Sequence, residues 1–421
     1  MRRAVSHPRE IEMQCKWLCA VALATVSTTA LAQQSEIEEL KRRVEELEKQ
    51  QAPARGTGTN AFNPDVSVIL QGTAARSSQD PNNYQITGFA PTGGEVAPPR
   101  RSFSLGESEL VVASNIDPYF RGQLVASLSP DNTVEVEEAF FQTLGLGNGF
   151  TVKGGRFLSS IGYQNGIHQH AWDFQDPPLP YKAFLGGRLD DDAVQVKWIA
   201  PTDLLVELGA EAGRGREFPA TDPNRNSAGL WTLYGHVGGD IGDSTAWRAG
   251  LSYLHASPAD RPMDVGATFT GTSSLWIADF IAKWSPNGNA SVTNLKVQGE
   301  YFQRTENGDL TFAGTSGGYD SKQSGWYAQT VYQFMPRWRV GYRYDRLSHG
   351  TVSSNLTAAQ LPALLTDYNP SRNTLMVDWS LSEFSRFRLQ VAADKSRAGV
   401  TDNQVLLQYI LSLGAHGAHT F

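Results

Sequence analysis

The chain has 421 residues, of which 40% are hydrophobic and only 19% are charged, and its formal net charge is −7. This balance excludes an intrinsically disordered chain. It also argues against a nucleic-acid partner, because the phosphate backbone attracts proteins with a clear basic excess. The two cysteines, Cys15 and Cys19, both lie near the N-terminus, so the rest of the sequence offers neither a disulfide nor a thiol ligand.

Residues 1–32 have the pattern of a secretory signal peptide. Basic residues precede a short apolar run from Trp17 to Ala24, and the segment ends in Ala-Leu-Ala, which is typical of a cleavage site. An apolar run of this length is too short for an anchor helix, since a membrane span needs about 20 residues. We expect this segment to be removed on export, with either Met1 or Met13 as the start.

Residues 33–50 predict a short periplasmic coiled-coil helix. Apolar residues recur there at alternating spacings of three and four, which forms the seam of a coiled coil. The seam residues are Ile37, Leu40, Val44 and Leu47. Two heptads are too short to associate alone, so a larger part of the protein must bring copies together. The alternative is a solvated helix that lies on its own domain. Residues 51–65, which contain several Pro and Gly residues, are predicted to be a linker.

From residue 66 to residue 421 the chain consists of segments in which apolar and polar residues alternate, as in β-strands with one apolar face. Sixteen such segments can be counted. In the segment from Trp276 to Trp284, aromatic and small apolar residues occupy one face, and Asp279 and Lys283 occupy the other. Aromatic residues at the segment ends suit a lipid-facing band. A soluble β-sandwich has the same alternation, so alternation alone does not decide.

The lengths of the connections favour a membrane barrel over a sandwich. Tight turns, such as residues 201–203, alternate with mostly long loops, such as 158–187, 305–322 and 348–372. Short periplasmic turns and longer external loops are typical of outer-membrane barrels. We therefore predict an all-β protein, in which residues 66–421 form a 16-stranded antiparallel transmembrane barrel surrounded by outer-membrane lipid.

The last predicted strand ends in an aromatic residue, Phe421, which has the same parity as Tyr409 and Leu413 on the apolar face. A terminal aromatic in this phase resembles the signal by which outer-membrane proteins are recognised for assembly. We therefore expect the outer-membrane assembly machinery to be a partner.

Four stretches of the predicted wall have distinctive sequences: VEVEEAF at 134–140, KGGRF at 153–157, GWYAQTVY at 325–332 and VGYRYD at 340–345. They resemble porins of the phosphate-selective O and P type, and especially their coiled-coil-bearing trimeric relatives that pass dicarboxylates. The resemblance implies a passive porin, a homotrimer, and an inward loop over 158–187 that narrows the pore.

The charge balance of the predicted pore differs from that of the phosphate-selective porins. Their pores carry an excess of Arg and Lys, because an anion that loses water needs fixed positive charge. Here the predicted inner faces carry as many acidic as basic side chains, so we expect small polar or anionic solutes. Two interpretations of an arginine cluster stay open: it selects anions, or it forms buried ion pairs that stiffen the wall. The arginines are Arg339, Arg343, Arg386 and Arg388, and the nearby acids are Asp345, Asp378 and Asp394.

The segment around His168 and His170 is the most unusual in the chain. Two imidazoles at this spacing lie on one side of an extended backbone, with Asp173 and Asp176 close in sequence. Such N and O donors would suit Zn²⁺ or a ferric chelate. The alternative is that these residues hold the loop by hydrogen bonds and aromatic packing. Further basic candidates for the pore or its constriction are Arg121, Arg156, Lys182 and Arg188.

Enzymatic activity is not expected. The sequence has no G-x-S-x-G motif, no H-E-x-x-H motif and no Gly-rich phosphate loop after a strand, and we predict no cofactor. Two other functions compete with the porin. One is a TonB-independent porin for a siderophore or metal chelate, and the other is a structural barrel that tethers periplasmic partners.

Overall fold

The computed structural model describes residues 64–93, 95–221 and 226–414. The chain divides into two units, residues 1–63 and residues 64–421, and the described residues all belong to the second unit. The predicted signal peptide, the coiled-coil helix with its seam residues, nearly all of the linker and Phe421 lie outside the described residues. The predictions made for them stay predictions.

One sheet contains eighteen strands. They are β1 Asp65–Ser77, β2 Ser102–Leu105, β3 Ser108–Asn115, β4 Phe120–Leu128, β5 Val134–Thr143, β6 Phe150–Leu158, β7 Asp190–Ile199, β8 Leu205–Gly213, β9 Leu230–Ile241, β10 Thr245–Ala256, β11 Arg261–Pro262, β12 Thr268–Trp284, β13 Asn294–Phe312, β14 Thr315–Met335, β15 Trp338–Ser354, β16 Ser371–Ser382, β17 Ser385–Lys395 and β18 Asp402–Gly414. The described residues also form two short α-helices, α1 Leu179–Leu185 and α2 Pro362–Leu365, and single 3₁₀ turns at Pro81–Asn83, Gln169–Ala171 and Pro286–Gly288. Within the described ranges, none of the helices is long and apolar enough to cross a membrane.

The sheet closes on itself because β1 pairs antiparallel with both β18 and β3. The short strand β2 continues the line of β3 along the second half of β1, and β11 lies on the same side of β12 as β10. Without these two extensions the wall has 16 strands, which confirms the predicted strand number. Closure removes the two free edges that an open sheet of these strands would have.

The two faces of the wall differ as the alternation predicts. On β17 and β18, Leu389 and Leu407 are 46% and 47% exposed, whereas the adjacent Gln390 and Gln408 are 0% and 2% exposed. Apolar side chains therefore cover the outside of the barrel, and polar side chains are buried inside it. This arrangement is the reverse of a soluble sandwich, in which the buried face is the apolar one.

The predicted loop over residues 305–322 is wrong. The strands β13 and β14 continue through it as a hairpin that turns at Ala313 and Gly314, where φ is +49° and +79°. Residues 305–322 are mostly polar on both faces, so they lack the apolar alternation that marks a strand in the sequence. The backbone ladder continues because strand pairing needs only a neighbouring strand. A strand of 21 residues such as β14 is about twice as long as a bilayer requires.

The segment between β6 and β7, residues 159–189, is named the inner loop. It contains α1, whose seven residues are all buried. Apolar side chains of α1, including Phe184, pack against Leu254, Ile277 and Phe302. These three residues alternate with exposed outer-face residues on β10, β12 and β13, so α1 packs on the inner face of the wall. The helix ends at Gly186 in a left-handed conformation (φ +70°), which favours glycine.

We expect the outer face to contact lipid, and substitution of Leu407 by arginine tests this. Leu407 lies near the middle of β18, so Leu407→Arg should lower the free energy of unfolding in lipid vesicles by about 2–4 kcal/mol. The matched control is Leu413→Arg on the same face near the strand end, for which a loss of about 0–1 kcal/mol is expected. Equal losses at the two positions would contradict a lipid-facing band centred on the strand.

Candidate functional site

The inner loop is bound to strands around most of the barrel. Side chains from β1, β3, β10, β13, β15, β16 and β17 form hydrogen bonds or ion pairs with it. It begins one residue later and ends two residues later than the predicted loop 158–187. The polar inner wall therefore binds this segment of the chain at many points.

Asp176 is the most highly connected anchor of the inner loop. Its carboxylate accepts a hydrogen bond from Arg372, lies 3.3 Å from the Arg343 Nη2 and 3.5 Å from the Lys182 Nζ, and accepts a 2.9 Å hydrogen bond from Gln390. Burial raises the pKa of Asp176, but the charges of Arg372, Lys182 and Arg343 outweigh it and hold the pKa well below its usual range. The group is therefore a permanent anion among buried cations.

Asp173 is a second anchor, on the side of the loop that faces a cavity. It forms ion pairs with Lys296 and with Arg339, whose Nη1 lies 3.0 Å from Oδ1, and it accepts a hydrogen bond from Gln329. Burial again raises its pKa, but Lys296 and Arg339 lower it by more. Arg339 also bonds to Asp378, so this arginine joins the loop to β16.

Two arginines of β17 bind backbone carbonyls of the inner loop. Arg388 donates to the Trp172 carbonyl and to Asp378, and Arg386 donates to the His170 carbonyl. The side chains of Arg343 and Arg388 are only 1% exposed, whereas those of Arg339 and Arg386 are 23% and 18% exposed. Of the two open interpretations, the buried ion-pair network describes Arg343 and Arg388. Arg339 and Arg386 take part in the network and also reach the cavity.

Two histidines of the inner loop contact carboxylates of β3 and β5. The rings of His168 and His170 are stacked, with centroids 5.8 Å apart. His168 Nε2 lies 3.1 Å from Glu138, and His170 Nδ1 lies 2.9 Å from Glu109. Burial lowers the pKa of His168, but Glu137 and Glu138 outweigh it and raise the pKa to about 10.

The predicted donor set of His168, His170, Asp173 and Asp176 is not assembled in the structure. The two histidines do come together, but both aspartates bind lysine and arginine instead. The 3₁₀ turn at Gln169–Ala171 lies between His168 and the aspartates, and residues close in sequence therefore bind different parts of the wall. The histidine partners are instead the acidic cluster, defined as Glu109, Glu137 and Glu138.

A β-bulge produces this cluster, and simple alternation could not have predicted it. The register of β4 and β5 shifts between Val125 and Ala126, so that Glu137 and Glu138 are both buried, at 6% and 5% exposure. Strict alternation sends two consecutive residues to opposite faces. Because sequence reasoning followed that rule, it placed Glu137 inside and missed Glu138.

Four further predicted site residues have different surroundings. Lys182 is 1% exposed and beside Asp176, so it is an anchor rather than a solute contact. Arg188 is surrounded by carboxylates, with its Nη2 2.8 Å from Glu137. Arg121 lines the cavity described below. The fourth residue, Arg156, requires a correction.

Arg156 does not face the lumen. It lies directly opposite Asp192 across the β6–β7 pair and forms an ion pair of 2.7 Å with it. Asp192 is on the same face as Val194, which is 54% exposed on the outside of the barrel. Arg156 therefore projects outward, because it is three residues from the inward-facing Lys153 and so on the opposite face.

A cavity of about 1490 Å³ extends from the inner loop to the short turns that join β9–β10, β12–β13, β14–β15 and β16–β17. One side of it is lined by a basic face, defined as Lys283, Lys296, Arg339 and Arg386. Lys283 and Lys296 are directly opposite each other in the β12–β13 register. Another part of the lining contains Glu109 with His168 and His170.

Sequence comparison identifies a relative of the chain but no family profile. No protein-family profile matches it. It is 32% identical over 393 residues to an uncharacterized protein of Aquifex aeolicus (strain VF5), with 86% of this chain and 80% of that protein covered.

Three solved structures resemble the barrel in fold. The trimer form of OmpT from Vibrio cholerae has a TM-score of 0.52 at 12% identity, over 84% of this chain and 100% of that one. The outer membrane channel DcaP of Acinetobacter baumannii has a TM-score of 0.50 at 11% identity, over 85% and 99%. The anion-selective porin from Comamonas acidovorans has a TM-score of 0.50 at 11% identity, over 84% and 100%. At these identities the likeness is one of fold.

Removal of the Asp176 charge tests the anchoring of the inner loop. Asp176→Asn leaves the buried cations Arg372, Arg343 and Lys182 without their shared anion, so we expect the free energy of unfolding to fall by about 3–5 kcal/mol. Limited proteolysis should cut the inner loop faster in this variant. The matched control is Asp192→Asn, which removes a partly exposed ion pair and should cost less than about 1 kcal/mol.

The pH dependence of stability gives an independent check on the same anchor. The pKa of Asp176 is lower in the folded protein than its unfolded value of about 3.9. Its contribution is therefore fully present above that pH and is lost as the pH falls below it. Asp176→Asn should lack this part of the acid sensitivity, and an unchanged acid dependence would contradict the role of Asp176.

Proposed function

The chain belongs to the same protein family as its Aquifex aeolicus relative, and we propose that it is an outer-membrane porin, not an enzyme. In this proposal small polar or anionic solutes diffuse passively through the barrel. The observation that carries the proposal is the inverted burial of the 16-stranded wall, with apolar side chains outside and charged or amide side chains inside. A closed barrel of this kind satisfies its backbone within a bilayer and keeps a polar interior.

We propose that the inner loop narrows the pore. Support comes from its hydrogen bonds to the inner face of strands around most of the barrel and from the packing of α1 against Leu254 and Phe302. The helix fills the side of the lumen next to β10 and β12–β15. Solutes pass on the side where the cavity of about 1490 Å³ meets Arg121, His170 and Arg386.

The charges along this path favour anions. The basic face contributes four cations, and Asp173 and Asp378 neutralise part of their charge. Lys283 and Lys296 stand side by side on neighbouring strands, which costs free energy unless an anion or solvent compensates. Charges of opposite sign on two sides of a narrow pore orient polar solutes. We also propose that the protein is related to the coiled-coil-bearing relatives of the phosphate-selective porins.

The porin is proposed to act as a homotrimer with its N-terminal helices in the periplasm. The outer face of the short strands β3–β6 carries an apolar groove of about 530 Å³, lined by Leu124, Ala139 and Phe141 among others. Another copy of the chain could fill it, and the predicted coiled coil would then join the copies. Bilayer recordings test this assembly, because one inserted trimer should close in three equal steps.

Conductance separates the porin from the competing functions. A structural tether without a channel should produce no current from purified protein in a planar bilayer. For the chelate porin, His168 and His170 do come together, but Asp173 and Asp176 bind lysine and arginine and do not join them. A conductance that falls when a metal chelate is added would favour that alternative.

Ion selectivity tests the role of the basic face. In a salt gradient, wild-type channels should show a reversal potential that indicates anion preference. One charge about 8 Å from a monovalent solute changes its energy by about 0.5 kcal/mol in water, with opposite signs for an anion and a cation. Loss of two such charges changes the difference between anion and cation by about 2 kcal/mol, so the double variant Lys283→Gln/Lys296→Gln should lower the anion-to-cation permeability ratio by about 30-fold.

The matched control for this measurement is Arg156→Gln on the outer face. It removes one positive charge outside the lumen and should leave the permeability ratio unchanged. Because distant charges are screened by salt, both variants are best compared at low ionic strength. An unchanged ratio in the double variant would show that the basic face does not set selectivity.

A further inference from the structure

Three buried ligand atoms converge beside the inner loop without hydrogen-bond partners among the described residues. They are His168 Nδ1, Glu109 Oε2 and Glu137 Oε2. Glu109 is 1% exposed and Glu137 is 6% exposed. Buried polar atoms are normally satisfied, and each exception costs about 1–3 kcal/mol. The three atoms face one another at ion-pair distance, so a metal ion could occupy the place that the Nδ1 proton of a charged His168 would otherwise fill.

The spacing of the three atoms matches a tetrahedral metal site. His168 Nδ1 lies 3.3 Å from Glu137 Oε2 and 3.6 Å from Glu109 Oε2, and all three atoms are within 4.8 Å of one another. Bonds of about 2.0–2.1 Å to a tetrahedral Zn²⁺ place neighbouring ligand atoms roughly 3.3 Å apart. The two carboxylate oxygens are at most 4.8 Å apart, so small side-chain adjustments would bring all three atoms to this spacing.

Each ligand is held from behind by a further residue. His168 Nε2 bonds to Glu138 at 3.1 Å, Glu109 Oε1 accepts from His170 at 2.9 Å, and Glu137 Oε1 accepts from Arg188 at 2.8 Å. A carboxylate behind a ligating imidazole fixes the ring and leaves its other nitrogen for the metal. The unpartnered atom of each side chain is therefore the one that faces its two fellow ligands.

We propose that Glu109, Glu137 and His168 bind one divalent transition-metal ion, for which Zn²⁺ is the best match. The ion joins the inner loop to β3 and β5 and replaces the imidazole proton as the local positive charge. Its fourth position faces the cavity, which both Glu109 and His168 line, and accepts water. The proposed metal site depends only on the fold. It does not depend on whether the protein conducts solutes.

Calorimetric titration of the purified full chain with Zn²⁺, without a polyhistidine tag, tests the site. Wild type should bind one tightly held Zn²⁺ per chain. Glu137→Gln and His168→Gln should abolish this binding, and Glu138→Gln, which alters only the support of the ring, should weaken it by about 10–100-fold. Weak binding elsewhere, for example at His416 and His419, would persist in all variants and can be subtracted.

The matched control is His236→Gln. His236 Nδ1 lies 3.0 Å from the carboxylate of Glu207, and among the described residues this His–Glu pair has no third side chain that would complete a metal site. This variant should bind Zn²⁺ like wild type. Heat-modifiable migration in gels verifies that each variant is folded, and the visible absorbance of bound Co²⁺ reports the loss of a ligand in the folded protein. Absence of tight binding in wild type, or equal binding in folded Glu137→Gln, would overturn the proposal.

Discussion

The buried guanidinium groups of the inner wall need partners, and the arrangement of the lumen follows from how they find them. Arg343, Arg372 and Arg388 are each 1% exposed. A buried charge without a partner costs several kcal/mol, so a wall with these residues is stable only if anions or carbonyls reach them. The inner loop supplies both, through the Asp176 carboxylate and the Trp172 carbonyl.

This binding divides the interior into parts with different chemistry. Where α1 packs, the inner wall carries Leu254, Ile277 and Phe302, so this part of the lumen is filled by an apolar cluster. Next to it the loop edge carries Asp173 toward the basic face, and His168 and His170 toward the acidic cluster. In the proposed porin, the same loop sets both the free cross-section of the barrel and the charges along it.

Much of the barrel could be predicted from sequence because period-two alternation is a local signal. It identified 16 strands and the facing of residues such as Arg388, which the structure confirms. It failed where facing or pairing depends on something other than local apolarity. The bulge that turns Glu138 inward is set by the neighbouring strand, and the polar hairpin 305–322 has no apolar face to recognise.

The sequence identified most residues of the candidate site, but it did not identify which residues they contact. His168 and His170 do form a pair, but their carboxylates come from β3 and β5, which are distant in sequence. Asp173 and Asp176 were expected beside the histidines and instead bind cations on β13, β15 and β16. Arg372 was missed altogether, because it falls within the predicted loop 348–372 although it begins the inward face of β16.

In the proposed porin, buried ion pairs hold the inner loop in the lumen and so limit the pore. Single-channel conductance of Asp176→Asn, compared with wild type and with the outer-face variant Asp192→Asn, tests it most directly. We expect a larger and noisier conductance in Asp176→Asn, because the loop loses its main anchor. Asp192→Asn should have the conductance and noise of the wild type. Identical conductance and noise in all three proteins would contradict it.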